Sequence, residues 1–446
     1  MNERVRITVS GIRGHVPDAL NADTVSGFAS SFATFLEKGT IAFCRDSRAS
    51  SPMLSMAAFS AATAAGLNGA DFGCLPTPFL QFQMKRESFS GGIVLTGGHN
   101  PDPWNAVLLL SERGNYLEMT EGMEIFNIHE ASIFKKAAWN ELGAVERKDF
   151  PFDEYCRRLA EVVRLKAIRE RRFKVVADPC GGAVAPYLQE FADFLNLDLT
   201  AINDRIDRPF PHPPEPNQAN ASQTEAVVRA VGADLGFLTN SDGSRLSLVD
   251  EKGRGQNEEI TLPLCLLAGR RHIKKAVTTL STSSLTGWAA GQAGISLLQT
   301  KVGQSAVIAA MSGEGAEAGG EGSGSFALAE FSLGYDAFLS LALILDKLAA
   351  DRQPLSTVLS DFPRFVRRKI NLEVPPEKLY RLMDMLEDEY RKENPDCTDG
   401  VRVNRKDAWF HIRPSMTEFM LRIIIEGKSK AHVSRIEDEL NERMGQ

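Results

Sequence analysis

Four short stretches of this 446-residue chain carry residue types that chemistry needs. The first is Thr96-Gly97-Gly98-His99-Asn100-Pro101 and the second Thr239-Asn240-Ser241-Asp242-Gly243-Ser244-Arg245. The third is Gly319-Gly320-Glu321-Gly322-Ser323-Gly324-Ser325, and the fourth Arg413-Pro414-Ser415-Met416-Thr417-Glu418. Any one of them alone reads as an ordinary polar connector. In the fourth, Arg413, Ser415 and Thr417 offer a guanidinium fork and two hydroxyls, donors suited to a phosphate. The whole chain sets 51 Lys plus Arg against 58 Asp plus Glu, a formal charge of -7. That balance argues against a protein that coats nucleic acid or an anionic membrane. If the chain binds phosphate, it must do so at local clusters of donors and not through a global field.

The elements that would position these stretches alternate in type. Strand-like apolar runs at 5–9, 41–44, 71–75 and 92–96 are separated by helical patterns at 21–36 and 52–65. The unit recurs as strand 173–177, the turn Cys180-Gly181-Gly182, helix 183–195 and strand 199–202, and again as helix 260–268, strand 275–279 and helix 285–293. Repetition of this kind predicts largely parallel sheets covered on both faces, with ligands at the carboxyl ends of the strands. Beyond about residue 367 the order becomes strand 369–374, helix 376–391, strands 401–404, 408–412 and 421–426, and helix 432–444, which fits a small α+β domain. The proline-rich chain between 202 and 220 reads as a surface loop. The basic run 164–174 reads as a solvated helix face and linker.

Apolar residues make up 43% of the chain and charged residues 24%, enough to build large cores with no sign of disorder. The longest apolar run, near 338–345, is far short of the 18 or so residues a membrane span needs. The start MNERVRITVS lacks an apolar signal core. Six scattered cysteines without a CxxC pair read, with the methionines, as core residues in a reducing compartment. A soluble, cytoplasmic protein is expected.

Taken together, in this order and spacing, the stretches resemble the α-D-phosphohexomutase family of phosphoglucomutase, phosphomannomutase and phosphoglucosamine mutase. SGIRG is similar to the family's opening motif, CRDSRASSPML to GRDTRxSSxxL, and LPTPFLQF to LPTPxLxF. LTGGHNPDPWN resembles the TASHNPxxxN active-site loop, and LTNSDGSRLSLVDEKG the DGDxDRLxxVDExG metal loop. TKVG and GGEGSGS resemble the TxVG segment and the GGExSGH sugar loop. DGVRV and IRPSMTEFMLRIIIEG resemble the end domain's DGxxx and RxSGTExxxRxxxE. The resemblance covers essentially the whole chain. It implies three similar α/β domains with mixed, largely parallel sheets plus a C-terminal α+β domain around a central cleft. The domains expected on this basis are 1–146, 147–251, 252–366 and 367–446. It also implies a phosphoserine that exchanges its phosphoryl group with a hexose phosphate, aided by Mg²⁺ and proton-transfer groups.

Against that pattern the chain departs at several positions. The family's serine falls at Gly98, with His99, Asn100 and Pro101 fixing the register. The three metal carboxylates fall at Asn240, Asp242 and Ser244, so the triplet's formal charge drops from -3 to -1. Mg²⁺ favours carboxylates and sheds water reluctantly, so it is expected to be weakly held or absent. A family lysine corresponds to Leu108, a second sugar-loop acid to Gly322 and a histidine to Ser325. The end-domain glycine is Met416. Arg13, Arg45, His99, Asn100, Arg245 and Glu321 stand at family-matching positions, and Glu321, Ser323, Arg413, Ser415, Thr417 and Arg245 form the expected phosphate and sugar contacts. For Arg13 and Arg45 the plainer reading is a structural salt bridge; for His99 and Asn100 it is loop-stabilising hydrogen bonding. The expectation is a family member without ordinary phosphoserine turnover that binds a hexose phosphate or another phosphorylated small molecule. Two alternatives stand beside it. One is an active mutase of altered mechanism, with Thr96, Ser323 or a bound bisphosphate as the phosphoryl source; the other is an interaction protein with a vestigial cleft.

Overall fold

The structure, a computed structural model, describes residues 5–8, 11–415 and 420–444. Its strands form four sheets. The first has seven strands, in spatial order Arg6–Thr8, Gly11–His15, Trp104–Leu110, Gly91–Leu95, Thr40–Arg45, Asn68–Cys74 and Val145–Arg147. The second runs Leu246–Asp250, Leu235–Thr239, Lys174–Asp178, Asp198–Ala201, and the third Ser296–Thr300, Lys275–Thr279, Ala318–Glu321, Ser325–Leu328. Each of the three sheets is mixed, with parallel pairs at its centre and antiparallel strands added on one side. The fourth sheet, Val366–Glu373, Met420–Gly427, Ala408–Ser415 and Val401–Asn404, is antiparallel throughout. The chain is thus three α/β units followed by an α+β unit. The limits expected after 146 and 366 meet strands: Val145–Arg147 closes the first sheet, and Val366–Glu373 opens the fourth.

A shared device places the site. In each α/β unit one parallel strand turns back through a short loop into an antiparallel neighbour. Gly91–Leu95 returns as Trp104–Leu110, Leu235–Thr239 as Leu246–Asp250, and Ala318–Glu321 as Ser325–Leu328. Three of the four polar stretches span these returns. The fourth was expected as a loop from residue 413, yet Arg413, Pro414 and Ser415 lie within the strand Ala408–Ser415. The antiparallel ladder to Met420–Gly427 tolerates Pro414 there, and the link between the strands lies outside the described residues.

The α/β units share one core. Phe79, Phe152 and Tyr155 stack around the helix Ala337–Asp351, whose run at 338–345 is buried on every side. Asp336 caps that helix, accepting the amides of Phe338 and Leu339 at 2.9 and 3.0 Å and the Tyr155 hydroxyl at 2.9 Å. Buried Asp346, on the same helix, binds Arg164 at 2.8 Å and Arg271 at 3.3 Å, tying the second unit to the third. The end unit has its own core around Tyr390, Phe410 and Ile425. Among the described residues no helix is long and apolar enough to cross a membrane.

Candidate active-site cleft

The strand returns converge on a cleft of about 780 Å³. Its walls include Arg13, Gly98, His99, Asn100, Asn240, Asp242, Ser244, Arg245, Glu321 and Arg413, so ten of the expected residues come together there. Three do not line it. Arg45 sits at the end of its strand with Nη1 donating to the Asp46 carbonyl at 3.2 Å, Ser323 exchanges a hydrogen bond with Ser325 at 3.1 Å, and Ser415 is buried in its strand. Thr417 lies outside the described residues.

The loop after Leu95 is held by a buried ion pair that sequence reasoning passed over. Arg48 and Asp46 meet at 3.0 Å with both side chains fully shielded from solvent. From there Arg48 donates to the carbonyls of Gly98 (3.0 Å), Asn100 (2.6 Å) and Pro101 (2.8 Å). Asp46 also accepts from Ser51 Oγ and Thr96 Oγ1, each at 2.8 Å, and from Ser241 Oγ at 2.9 Å. Ser241 belongs to the neighbouring loop, so a single carboxylate fastens two loops together. Breaking such a pair strands a buried charge and costs about 3–5 kcal/mol.

Gly98 adopts φ +56, and a Cβ built there would lie 3.5 Å from Asp242 Oδ2, so position 98 faces the second loop with room for a side chain. Within that loop Asn240, Asp242 and Ser244 bond to one another. Asn240 Oδ1 accepts the backbone amides of Ser244 (3.0 Å) and Arg245 (3.1 Å), which fixes the orientation of its carboxamide. Its Nδ2 therefore donates to Asp242 Oδ1 at 2.8 Å and to Ser244 Oγ at 3.0 Å. Asp242 Oδ1 also accepts from Ser244 Oγ at 2.7 Å and Ser244 N at 3.1 Å. Burial raises the Asp242 pKa, with Asp46 adding to it, against the opposing pull of Ser244 and Arg245.

The cleft is also rich in cationic groups. Arg6, Arg13, Arg245, Arg413 and Arg422 line the cleft against the carboxylates Glu215, Asp242 and Glu321. Four of these arginines are cross-strand partners: Arg6 stands opposite Arg13, and Arg413 opposite Arg422. Guanidinium groups are donors whose planar fork matches phosphate and carboxylate oxygens. Arg6 lies over the Trp104 ring at 4.3 Å, and Arg245 approaches Glu215 at 3.7 Å. Arg245, then burial, then Arg13, Arg48 and Arg422 hold the His99 pKa well below its usual value, leaving a neutral imidazole. Burial raises the pKa of Glu321, partly offset by Arg245; its Oε1 accepts the Gly303 amide at 3.0 Å.

Sequence profiles of phosphoglucomutase/phosphomannomutase match in chain order: alpha/beta/alpha domains I, II and III at residues 5–136, 153–253 and 261–365, and the C-terminal domain at 370–443. The chain belongs to the phosphoglucomutase/phosphomannomutase family. It is 30% identical over 435 residues to a probable phosphoglucosamine mutase of Pyrococcus furiosus, covering 94% of this chain and 93% of that one. Among solved structures it is similar to a phosphoglucomutase/phosphomannomutase family protein of Burkholderia thailandensis, with TM-score 0.86 and 25% identity over 98% of this chain and 97% of that one. An Aspergillus fumigatus N-acetylphosphoglucosamine mutase, solved with GlcNAc-6P and magnesium, shares the fold with TM-score 0.55 and 15% identity, over 91% and 82% of the chains.

Within this family's fold, Arg48 and Arg422 are visible in the CRDSR and RIIIE runs, but residue type alone does not say which arginine turns inward. Arg6 as the partner of Arg13 becomes evident only from strand register. Position 322 shows a further rearrangement. A Cβ there would collide with the carboxylate of Glu259, which is held by Arg367 and, at 3.0 Å, by the Ser283 amide.

Proposed function

We propose that this family member binds a hexose phosphate in its cleft without running the phosphoserine reaction and without a stable Mg²⁺ at Asn240–Ser244. The observation that carries the reading is a contrast within the cleft. Two cross-strand arginine pairs line it, while the position facing Asp242 is a glycine. A glycine offers no oxygen to phosphorylate.

The donor set does not fit the metal. Octahedral Mg²⁺ needs oxygens turned toward it. Asn240 instead presents an N–H donor toward Asp242 and Ser244. Reversing the amide would set its NH₂ against the two backbone donors that now hold Oδ1. Thr96 is a poor substitute nucleophile, since its hydroxyl donates to Asp46 and accepts from the Gly98 amide at 2.9 Å. Ser323 is paired with Ser325 and does not line the cleft.

Thermal-shift and calorimetric titration with glucose 1-phosphate, mannose 1-phosphate and glucosamine 1-phosphate test the reading. Saturable binding that is indifferent to Mg²⁺ and lost in Arg413→Ala supports it. Stoichiometric phosphate on the purified chain, mapped to the cleft, or Mg²⁺-dependent turnover in a coupled assay would refute it.

A further inference from the structure

The surroundings of Cys180 differ from those of the core thiols with which its sequence context groups it. Burial pushes the thiols of Cys44 and Cys265 up, and no histidine contacts either. Cys180 follows the strand Lys174–Asp178 in a turn where it and Gly181 both take left-handed backbone, φ +51 and +64. A residue with a Cβ adopts that conformation only at a cost of order 1 kcal/mol, so the fold holds this side chain in place by other contacts. Its Sγ lies 3.6 Å from His212 Nδ1, and the thiol donates to the His212 carbonyl at 3.3 Å. On the far side of the ring, Nε2 is 3.2 Å from Asp178 Oδ2. The buried Asp178 carboxylate also accepts from the Cys180 amide (3.0 Å), Thr224 (3.0 Å) and Asn203 (3.1 Å).

Nδ1 meets the Pro213 carbonyl at 2.9 Å, so both ring nitrogens face acceptors. Burial works against a charge on the ring, yet the bonds to Asp178 and Cys180 lift the His212 pKa to about 10. Reactive cysteines characteristically sit beside a cationic group such as a histidine ring. Sequence, turn and partners thus assemble a thiol, an imidazolium and an orienting carboxylate outside the cleft.

Part of the cover over the sulfur is irregular chain, since His212 contacts it. Cys180 is fully buried, but the chain between Ala201 and Gln218 has neither helix nor strand, and residues 204–209 are exposed. This strap is held to the first unit by the Phe210 amide on Asp102 at 3.2 Å and the Phe210 ring on Arg48 at 4.8 Å. Glu215, three residues beyond His212, lines the cleft and approaches Arg245. Segments with so few ordered backbone bonds open locally at low free energy.

We propose that Cys180, His212 and Asp178 form a reactive-thiol site that hydrogen peroxide oxidises when the strap 203–217 lifts. The thiolate attacks one peroxide oxygen, an S–O bond forms and the O–O bond breaks. The leaving hydroxide takes a proton from the His212 imidazolium and becomes water. Sulfur is oxidised to a sulfenic acid as peroxide is reduced. An oxygen added to a sulfur packed against His212 displaces the ring, and the strap carries that displacement to Glu215 in the cleft.

The test is peroxide treatment of the intact protein with dimedone trapping and peptide mass spectrometry, using Cys44, Cys265 and Cys397 as internal references. The site predicts that Cys180 is trapped at least roughly tenfold faster than buried Cys44 and Cys265. It also predicts that His212→Gln, checked for folding by its melting curve, slows Cys180 roughly tenfold and leaves Cys397 unchanged. Trapping of Cys180 no faster than Cys44 and Cys265 in the unmodified protein overturns the proposal, as does an unchanged or raised rate in His212→Gln. None of these readouts depends on a ligand in the cleft.

Discussion

Two groups of residues in the cleft contrast. In one, Arg6 with Arg13 and Arg413 with Arg422 stand opposite each other as like-charged strand partners. In the other, Asn240, Asp242 and Ser244 satisfy one another, and Gly98 leaves open the place of a side chain. A guanidinium group has five donors, so an arginine can hold a neighbour and still meet an anion, whereas the Asn240 carboxamide is occupied by its own loop. On the reading proposed above, recognition of a phosphate and transfer of a phosphate rest on separable residues: arginines within strands for the first, and the returns after Leu95 and Thr239 for the second.

The largest effect should come from the Arg48–Asp46 clamp that fastens the loops after Leu95 and Thr239. Arg48→Met leaves Asp46 buried without its partner and should cost about 3–5 kcal/mol, read from urea denaturation midpoints. If the loss is under about 1 kcal/mol, the ion pair does not hold the two loops.

Rebuilding the metal loop comes next. Asn240→Asp with Ser244→Asp restores three carboxylates at alternate positions, and Mg²⁺ at one hundred times its dissociation constant should then stabilise the chain by about 2.7 kcal/mol. The unaltered protein should show no Mg²⁺-dependent shift in the same melting experiment. A shift there would show that the Asn240 amide yields to the ion.

Weakening the cationic group should be of similar size. Arg413→Ala removes charged hydrogen bonds worth about 1.5–3 kcal/mol, so hexose phosphate affinity should fall about 10- to 100-fold by calorimetry. Equal affinity in the variant would move the anion site away from the end unit.

Acid offers a smaller perturbation beside the same arginine. His411 shares the strand of Arg413 and places Nδ1 2.9 Å from Ser281 Oγ of the third unit. Burial, helped by Arg402 and Arg413, lowers its pKa to about 4. Its folded pKa lies below the unfolded value near 6.5, so the unfolded chain binds the proton first. Stability from this group is present above pH 6.5 and is lost toward pH 4, by at most about 1.4 kcal/mol per unit. His411→Gln should flatten that slope; an unchanged slope would assign the acid sensitivity elsewhere.

Much of this architecture was legible in the sequence because each polar stretch follows an apolar strand and precedes another. The alternation of strand and helix pointed to the parallel sheets, and the helical pattern at 21–36 matches the helix Ala22–Leu36 within a residue. Helices such as Thr77–Met84 and Ala337–Asp351 were harder to read because burial on every side erases the polar face that gives a helix its period. Within the site, identities at 98, 240 and 244 were plain, but their consequences depended on hydrogen bonds between side chains. The arginine pairs needed strand register, and Cys180 with His212 needed a contact across 32 residues of chain. Arg45 and Arg48 occupy one short run, yet only Arg48 turns into the core, a choice set by Asp46 and the loop carbonyls.

The central claim, binding without transfer, is tested most directly by phosphorus NMR of glucose 1-phosphate mixed with the protein, Mg²⁺ and catalytic glucose 1,6-bisphosphate. The account predicts a broadened glucose 1-phosphate resonance that sharpens in Arg413→Ala, with no glucose 6-phosphate appearing over time. Steady growth of the glucose 6-phosphate resonance, proportional to protein and abolished by Arg413→Ala, would contradict it.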